Sequence, residues 1–199
     1  MSLLKYILAI IFAAIYVCVG YFLERESFQH LAILFGACFA LYFFFILSAS
    51  DKKETDTLLS ISMIFRIIFI VAIPSLSDDY FRFIWDGKLF VNGFNPYLFI
   101  PSEIVNTDIA KTAGLSQELY DGLNSPNYYT VYPPINQLLF SLGGFFSKFG
   151  MLAGIVAIRV PIIFAEFFLL KYIRRLLEAL HLPHYYVLWY ALNPLVIVE

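Results

Sequence analysis

The chain has 199 residues, 61% of them apolar and 14% charged, whereas a water-soluble domain is nearer half apolar and a quarter charged. Its 13 basic and 15 acidic side chains leave a net charge of −2, and the mean hydropathy is +0.78. These values exclude a disordered chain, a nucleic-acid partner held by a broad basic face and a secreted disulfide scaffold, and they point to a membrane protein.

A spanning helix needs about 20 apolar residues. Runs of that order give about six expected transmembrane helices, near 6–23, 28–48, 58–76, 135–149, 153–170 and 185–199. The first follows Lys5 as a secretory signal would. Its apolar stretch is longer than a signal core and meets Glu24 without a small-residue cleavage site, so it is expected to be retained. The second ends in the hydrophilic patch 50–56, and the third carries Arg66 within it. Cys18 and Cys38 lie deep in apolar runs, where each packs as a small hydrophobe.

Between the third and fourth runs, residues 77–134 are rich in acids, Asn, Gly, Ser, Thr and Pro and form a large extramembrane loop. The last run stops at Glu199 after about two-thirds of a spanning length, so the sixth helix is expected to be truncated and the chain to be the N-terminal portion of a longer polytopic protein. The expected fold is all-α: a polytopic membrane helix bundle forming one domain over 1–199, with juxtamembrane amphipathic helices in the loop.

Orientation is balanced. With a cytoplasmic N-terminus and a crossing 135–149 segment, Lys5, Lys52, Lys53 and Lys148 lie inside, against Arg25, Lys171, Arg174 and Arg175 outside. If 135–149 dips in and returns, as its Gly143-Gly144 and Gly150 punctuation allows, the last three move inside. In both cases the large loop faces outward.

Within the loop, Asp78, Asp79, Arg82 and Asp86 share a stripe of roughly 100° on a helix, with Ser77 as its N-cap. Such a helix lies at the membrane surface with its aromatics among headgroups. The acids are either capping charges paired with Arg82 at i+4 and i+3, or a carboxylate pair at the mouth of the bilayer. A partly desolvated carboxylate with a like-charged neighbour suits a general base. Downstream, 92–97 reads as a sharp turn and 115–123 as a short helix capped by Ser116. Pro134 opens a helix that carries Asn136 and Gln137 in its first turn.

Arg66, Arg159 and Glu166 fall inside apolar runs, where ionisable residues face a partner or the protein interior. Arg66 either pairs with Glu166 or reaches a lipid phosphate, and the three together would serve a transporter as an intramembrane relay. Arg174 and Arg175 are expected to snorkel to headgroups. His30, His181 and His184 have no spacing that suits a metal.

The ordered pieces Asp78-Asp79, Tyr80-Phe81-Arg82-Phe83-Ile84-Trp85-Asp86-Gly87, Asn92-Gly93-Phe94-Asn95-Pro96-Tyr97 and Tyr132-Pro133-Pro134-Ile135-Asn136-Gln137 resemble the GT-C superfamily of integral-membrane glycosyltransferases. The similarity is closest to polyprenol-phosphate-mannose-dependent mannosyltransferases, with a weaker likeness in 191–195. The resemblance implies inverting transfer of a sugar, mannose by the closest likeness, from a polyprenyl-phosphate donor to a hydroxyl of a glycan or lipid acceptor. It implies a multi-pass protein, in a bacterial cytoplasmic membrane, with the loop facing the periplasm or a lumen. Asp79 would be the base with Asp78 as partner or substitute, Arg82 and Arg66 would bind the donor phosphate, and Trp85, Asp86, Tyr132, Asn136 and Gln137 would line the cavity. No cofactor is required, although Asp78 and Asp79 leave room for a divalent cation. The implied partners are membrane lipids, the lipid-linked sugar donor, the acceptor, and the missing C-terminal helices or a partner subunit, with no nucleic acid. A noncatalytic fragment or subunit of such an enzyme is the remaining alternative.

Overall fold

The computed structural model describes residues 1–49 and 51–198, so Ser50 of the expected hydrophilic patch and Glu199 at the expected truncation lie outside the described residues. All regular structure among the described residues is helical. The chain forms two compact units, one from 1–75 with 162–199, the other from 76–161.

In the first unit, α1 (Leu3–Tyr21) and α2 (Phe28–Ser48) are long and apolar enough to cross a membrane, as is α9 (Met151–Ala179), which enters this unit after Pro161. α3 (Lys52–Ile68) begins six residues earlier than its apolar run because Asp51 caps it, accepting from the Glu54 N–H at 2.7 Å. The buried residues of α1, Ala9, Phe12, Tyr16 and Val19, recur every three or four positions. Phe12 and Tyr16 stack at 4.8 Å, and the Phe65 ring of α3 lies 5.0 Å from each. Large apolar side chains such as Ile10, Leu47, Phe164 and Phe168 point outward. This is the pattern of helices solvated by lipid.

Two ion pairs gather helix ends at one end of this unit. Lys5 bonds Glu54 at 2.7 Å, joining the start of α1 to the start of α3, and Arg174 bonds Asp56 at 2.8 Å, joining the end of α9 to the same place. Lys171, Arg174 and Arg175 therefore stand at the same end of this unit as Lys5, Lys52 and Lys53. Arg174 is ion-paired instead of reaching only for headgroups.

The second unit holds α4 (Asp79–Val91), the short α5 (Pro101–Ile104), α6 (Asp108–Ala113) and α7 (Gln117–Asp121), α8 (Pro134–Phe146) and the first turns of α9. Ser116 caps α7 by accepting from Leu119 N–H at 3.2 Å, and Pro134 stands in the first turn of α8. At 13 residues, about 20 Å, α8 is shorter than the roughly 30 Å hydrocarbon core. The expected final span is broken into a 3₁₀ turn at His184–Val187, α10 (Leu188–Ala191) and α11 (Pro194–Val198), since Pro194 cannot continue a helix from before it.

α4 and α8 touch backbone to backbone. A Cβ on Gly87 would fall 1.9 Å from the Phe140 carbonyl oxygen, and one on Gly144 would fall 2.2 Å from the Gly87 carbonyl carbon. The glycines read as punctuation are thus a helix-crossing point. Ile84, Trp85 and Leu89 of α4 form a core with Ile104, Ala113, Leu119, Leu123, Phe140 and Ile158. α4 is therefore an interior helix of its unit, since the loop's own short helices cover the faces expected to meet headgroups.

Candidate active site

α4 presents its acids at its N-terminus. Asp78 occupies the N-cap position and Asp79 the first helical one, with Ser77 Oγ accepting from the Asp79 N–H at 3.2 Å. Both carboxylates are half-buried. Negative charge at this end is favoured by the helix dipole. Asn124, just beyond α7, donates from Nδ2 to Asp79 Oδ1 at 2.6 Å.

Arg82 does not pair with either of these acids. Its Nε donates to Asp86 Oδ1 at 2.8 Å, one turn further along α4, and both residues are buried. Nη1 donates to the carbonyls of Ser125 and Tyr128 at 3.3 and 3.1 Å, so the guanidinium fastens the 125–128 segment to α4. Gln137 on α8 closes the network, donating from Nε2 to Asp86 Oδ2 and to Thr130 Oγ1, each at 3.1 Å. Arg82 Nη2 and Gln137 Oε1 remain buried without a partner. Each is costly to leave unpaired and points to a bound water or ligand group.

Electrostatically, Asp86 neutralises Arg82, the cation it pairs with at 2.8 Å. Burial raises the Tyr132 hydroxyl above its ordinary value; the Asp79 charge raises it further, Arg82 opposes the rise and Asp86 adds to it. Tyr80 is raised by burial and then by Asp78. Tyr132 and Asn136 are half-buried, and Tyr97 Oη donates to the Tyr132 carbonyl. Trp85 is fully buried, 6.0 Å from the Tyr120 ring, so it is a packing residue with no face open for a sugar or a prenyl chain.

Arg66 belongs to the other unit. Nε and Nη2 donate to the Glu166 carboxylate oxygen Oε2 at 3.2 and 3.0 Å, and Nη1 donates to the Ser62 and Ala191 carbonyls. Tyr190 Oη donates to Glu166 Oε1 at 2.6 Å. All three guanidinium nitrogens are engaged, so the ion pair with Glu166 is the arrangement present. Of the relay expected for a transporter, Arg159 lies in the second unit. Among the described residues no three His, Cys, Asp or Glu side chains gather as a metal cage.

The structure thus brings Asp79, Arg82, Asp86, Tyr132 and Gln137 into one unit and leaves Arg66 outside it. Asn124 and Thr130 were not legible in the sequence: only their polar character, beside Ser-Pro and before Pro-Pro, was visible.

The family described as alpha-(1->6)-mannopyranosyltransferase, N-terminal domain (MptA_B family), matches residues 18–199. No curated protein and no solved structure matches the chain. The family match covers nearly the whole sequence and fits the ordered loop motifs, and the chain belongs to the MptA_B family of alpha-(1->6)-mannopyranosyltransferases, as their N-terminal domain.

Proposed function

We propose that the chain supplies the base and part of the donor site for transfer of mannose from a polyprenyl-phosphate donor to an acceptor hydroxyl, with inversion, at the outer membrane-water boundary. The observation that carries this reading is the oriented Asp79 carboxylate, held by Asn124 on a helix that Arg82, Asp86 and Gln137 lock in place. A single displacement needs one base on the acceptor side. Asp79 takes the hydroxyl proton as the new C–O bond forms and the bond to the lipid phosphate breaks. Asp78 is its neighbour and substitute. Arg82, whose Nη2 is buried without a hydrogen-bond partner, is the cation proposed for the departing phosphate.

An outward-facing loop is supported by the gathering of Lys5, Lys52, Lys53, Lys171, Arg174 and Arg175 at one end of the first unit, which the positive-inside rule assigns to the cytoplasm. α3 starts at that end and leads toward residue 77.

An inverting enzyme of a family named for α linkages draws on a β-linked donor. The test is to supply the full-length enzyme with β-linked or α-linked polyprenyl-phosphate mannose, or with a nucleotide mannose. Product with an α linkage from the β-linked lipid donor alone is expected. Equal use of the nucleotide sugar would overturn the donor, and product from the α-linked lipid would overturn inversion.

A further inference from the structure

We propose that the groove between the start of α3 and the end of α9 binds one anionic phospholipid, its phosphate on Lys171 and Arg175 and an acyl chain against the apolar wall. The groove encloses about 520 Å³, within the usual range for small-molecule sites. Its lining changes character along its length. Met63 and Phe167 stand among the apolar side chains of one part, and charged side chains make the rim. The change falls where the apolar run of α9 gives way at Lys171, the level at which a bilayer changes from hydrocarbon to headgroup.

Charge complementarity selects the headgroup. Arg174 is answered by Asp56 at 2.8 Å. Lys171 and Arg175 are exposed and have no carboxylate partner among the described residues; Arg175 lies 5.7 Å from the Tyr172 ring centroid. Against these two cations the rim holds Glu178, so one positive charge remains in surplus. Basic recesses between helices on the cytoplasmic side suit anionic headgroups, because that leaflet carries negative surface potential. Lys5 at the same end is held by Glu54 at 2.7 Å, and Lys52 and Lys53 do not line the groove.

The test uses the full chain purified in detergent, offered phosphatidylglycerol or phosphatidylcholine, with retained lipid counted by native mass spectrometry. The wild type is expected to retain one phosphatidylglycerol in preference to phosphatidylcholine. Lys171→Gln with Arg175→Gln lowers that preference by about thirtyfold, from two basic contacts, and Lys171→Arg with Arg175→Lys keeps it. Phe167→Ser weakens retention without altering charge, while Lys52→Gln with Lys53→Gln leaves it unchanged. Unaltered retention in the groove variants overturns the site. An equal loss in the Lys52 and Lys53 variant means diffuse attraction, and displacement by inorganic phosphate means a free-anion site; either result also overturns it. The readout is lipid retention, so its outcome is separate from that of sugar transfer.

Discussion

The side-chain amide of Asn124 donates to Oδ1 of Asp79 at 2.6 Å, joining residues 45 apart in sequence. A base must hold its oxygen toward the proton it takes, and this bond fixes the carboxylate's rotation. Asn124→Ala is expected to lower the rate of mannose transfer by about one to two powers of ten with little change in stability, since Asn124 is exposed. Steady-state kinetics of the full-length enzyme check it. An unchanged rate would mean that Asp79 needs no such support.

Asp86 is buried against Arg82, so removing one partner strands the other. Asp86→Ala should destabilise the second unit by about 3–5 kcal/mol. Replacing both, as Arg82→Met with Asp86→Leu, should restore most of the stability, because well-packed apolar residues often equal a buried pair. The double variant should still fail to transfer mannose. Thermal unfolding in detergent reads the first part and the transfer assay the second.

Gly87→Ala opposes two effects. Alanine gains about 1 kcal/mol of helix propensity, but its Cβ would stand 1.9 Å from the Phe140 carbonyl oxygen, a rigid backbone atom. Overpacking of that kind costs about 1–3 kcal/mol or more, so the clash wins. A lowered melting temperature and faster proteolysis within 76–161 are expected.

Tyr132 gives a pH dependence. Its folded value is raised above the ordinary 10.0, by burial first and by Asp79 next. Its stabilising contribution is therefore full below pH 10.0. As pH climbs further, the unfolded chain ionises first and the contribution is lost up to the raised folded value. Tyr132→Phe should show a shallower alkaline loss of stability than wild type, measured by unfolding across that range.

Much of this architecture was legible in the sequence, for identifiable reasons. α1, α2 and the first two-thirds of α9 follow from apolar length alone, and Ser116 and Pro134 mark helix starts by local chemistry that tertiary packing does not override. The burial of α4 was not legible. The helices that cover it, α5 to α7, have four to six residues each, too few to show a periodic apolar face. Spacing allowed Arg82 to pair backward with Asp78 and Asp79 or forward with Asp86, and only the placement of Gln137 and of the Ser125 and Tyr128 carbonyls selects the forward pair. Likewise only the pairing of Arg174 with Asp56 shows that Lys171 to Arg175 share one end of the first unit with the start of α3.

The most direct measurement of the central claim is mannose transfer from polyprenyl-phosphate mannose by full-length enzyme carrying Asp79→Asn, which keeps the bond from Asn124 within reach while removing the base. A loss of about two to four powers of ten with a normal unfolding profile is expected. A rate equal to wild type in a correctly folded Asp79→Asn protein would contradict the assignment of Asp79 as the base.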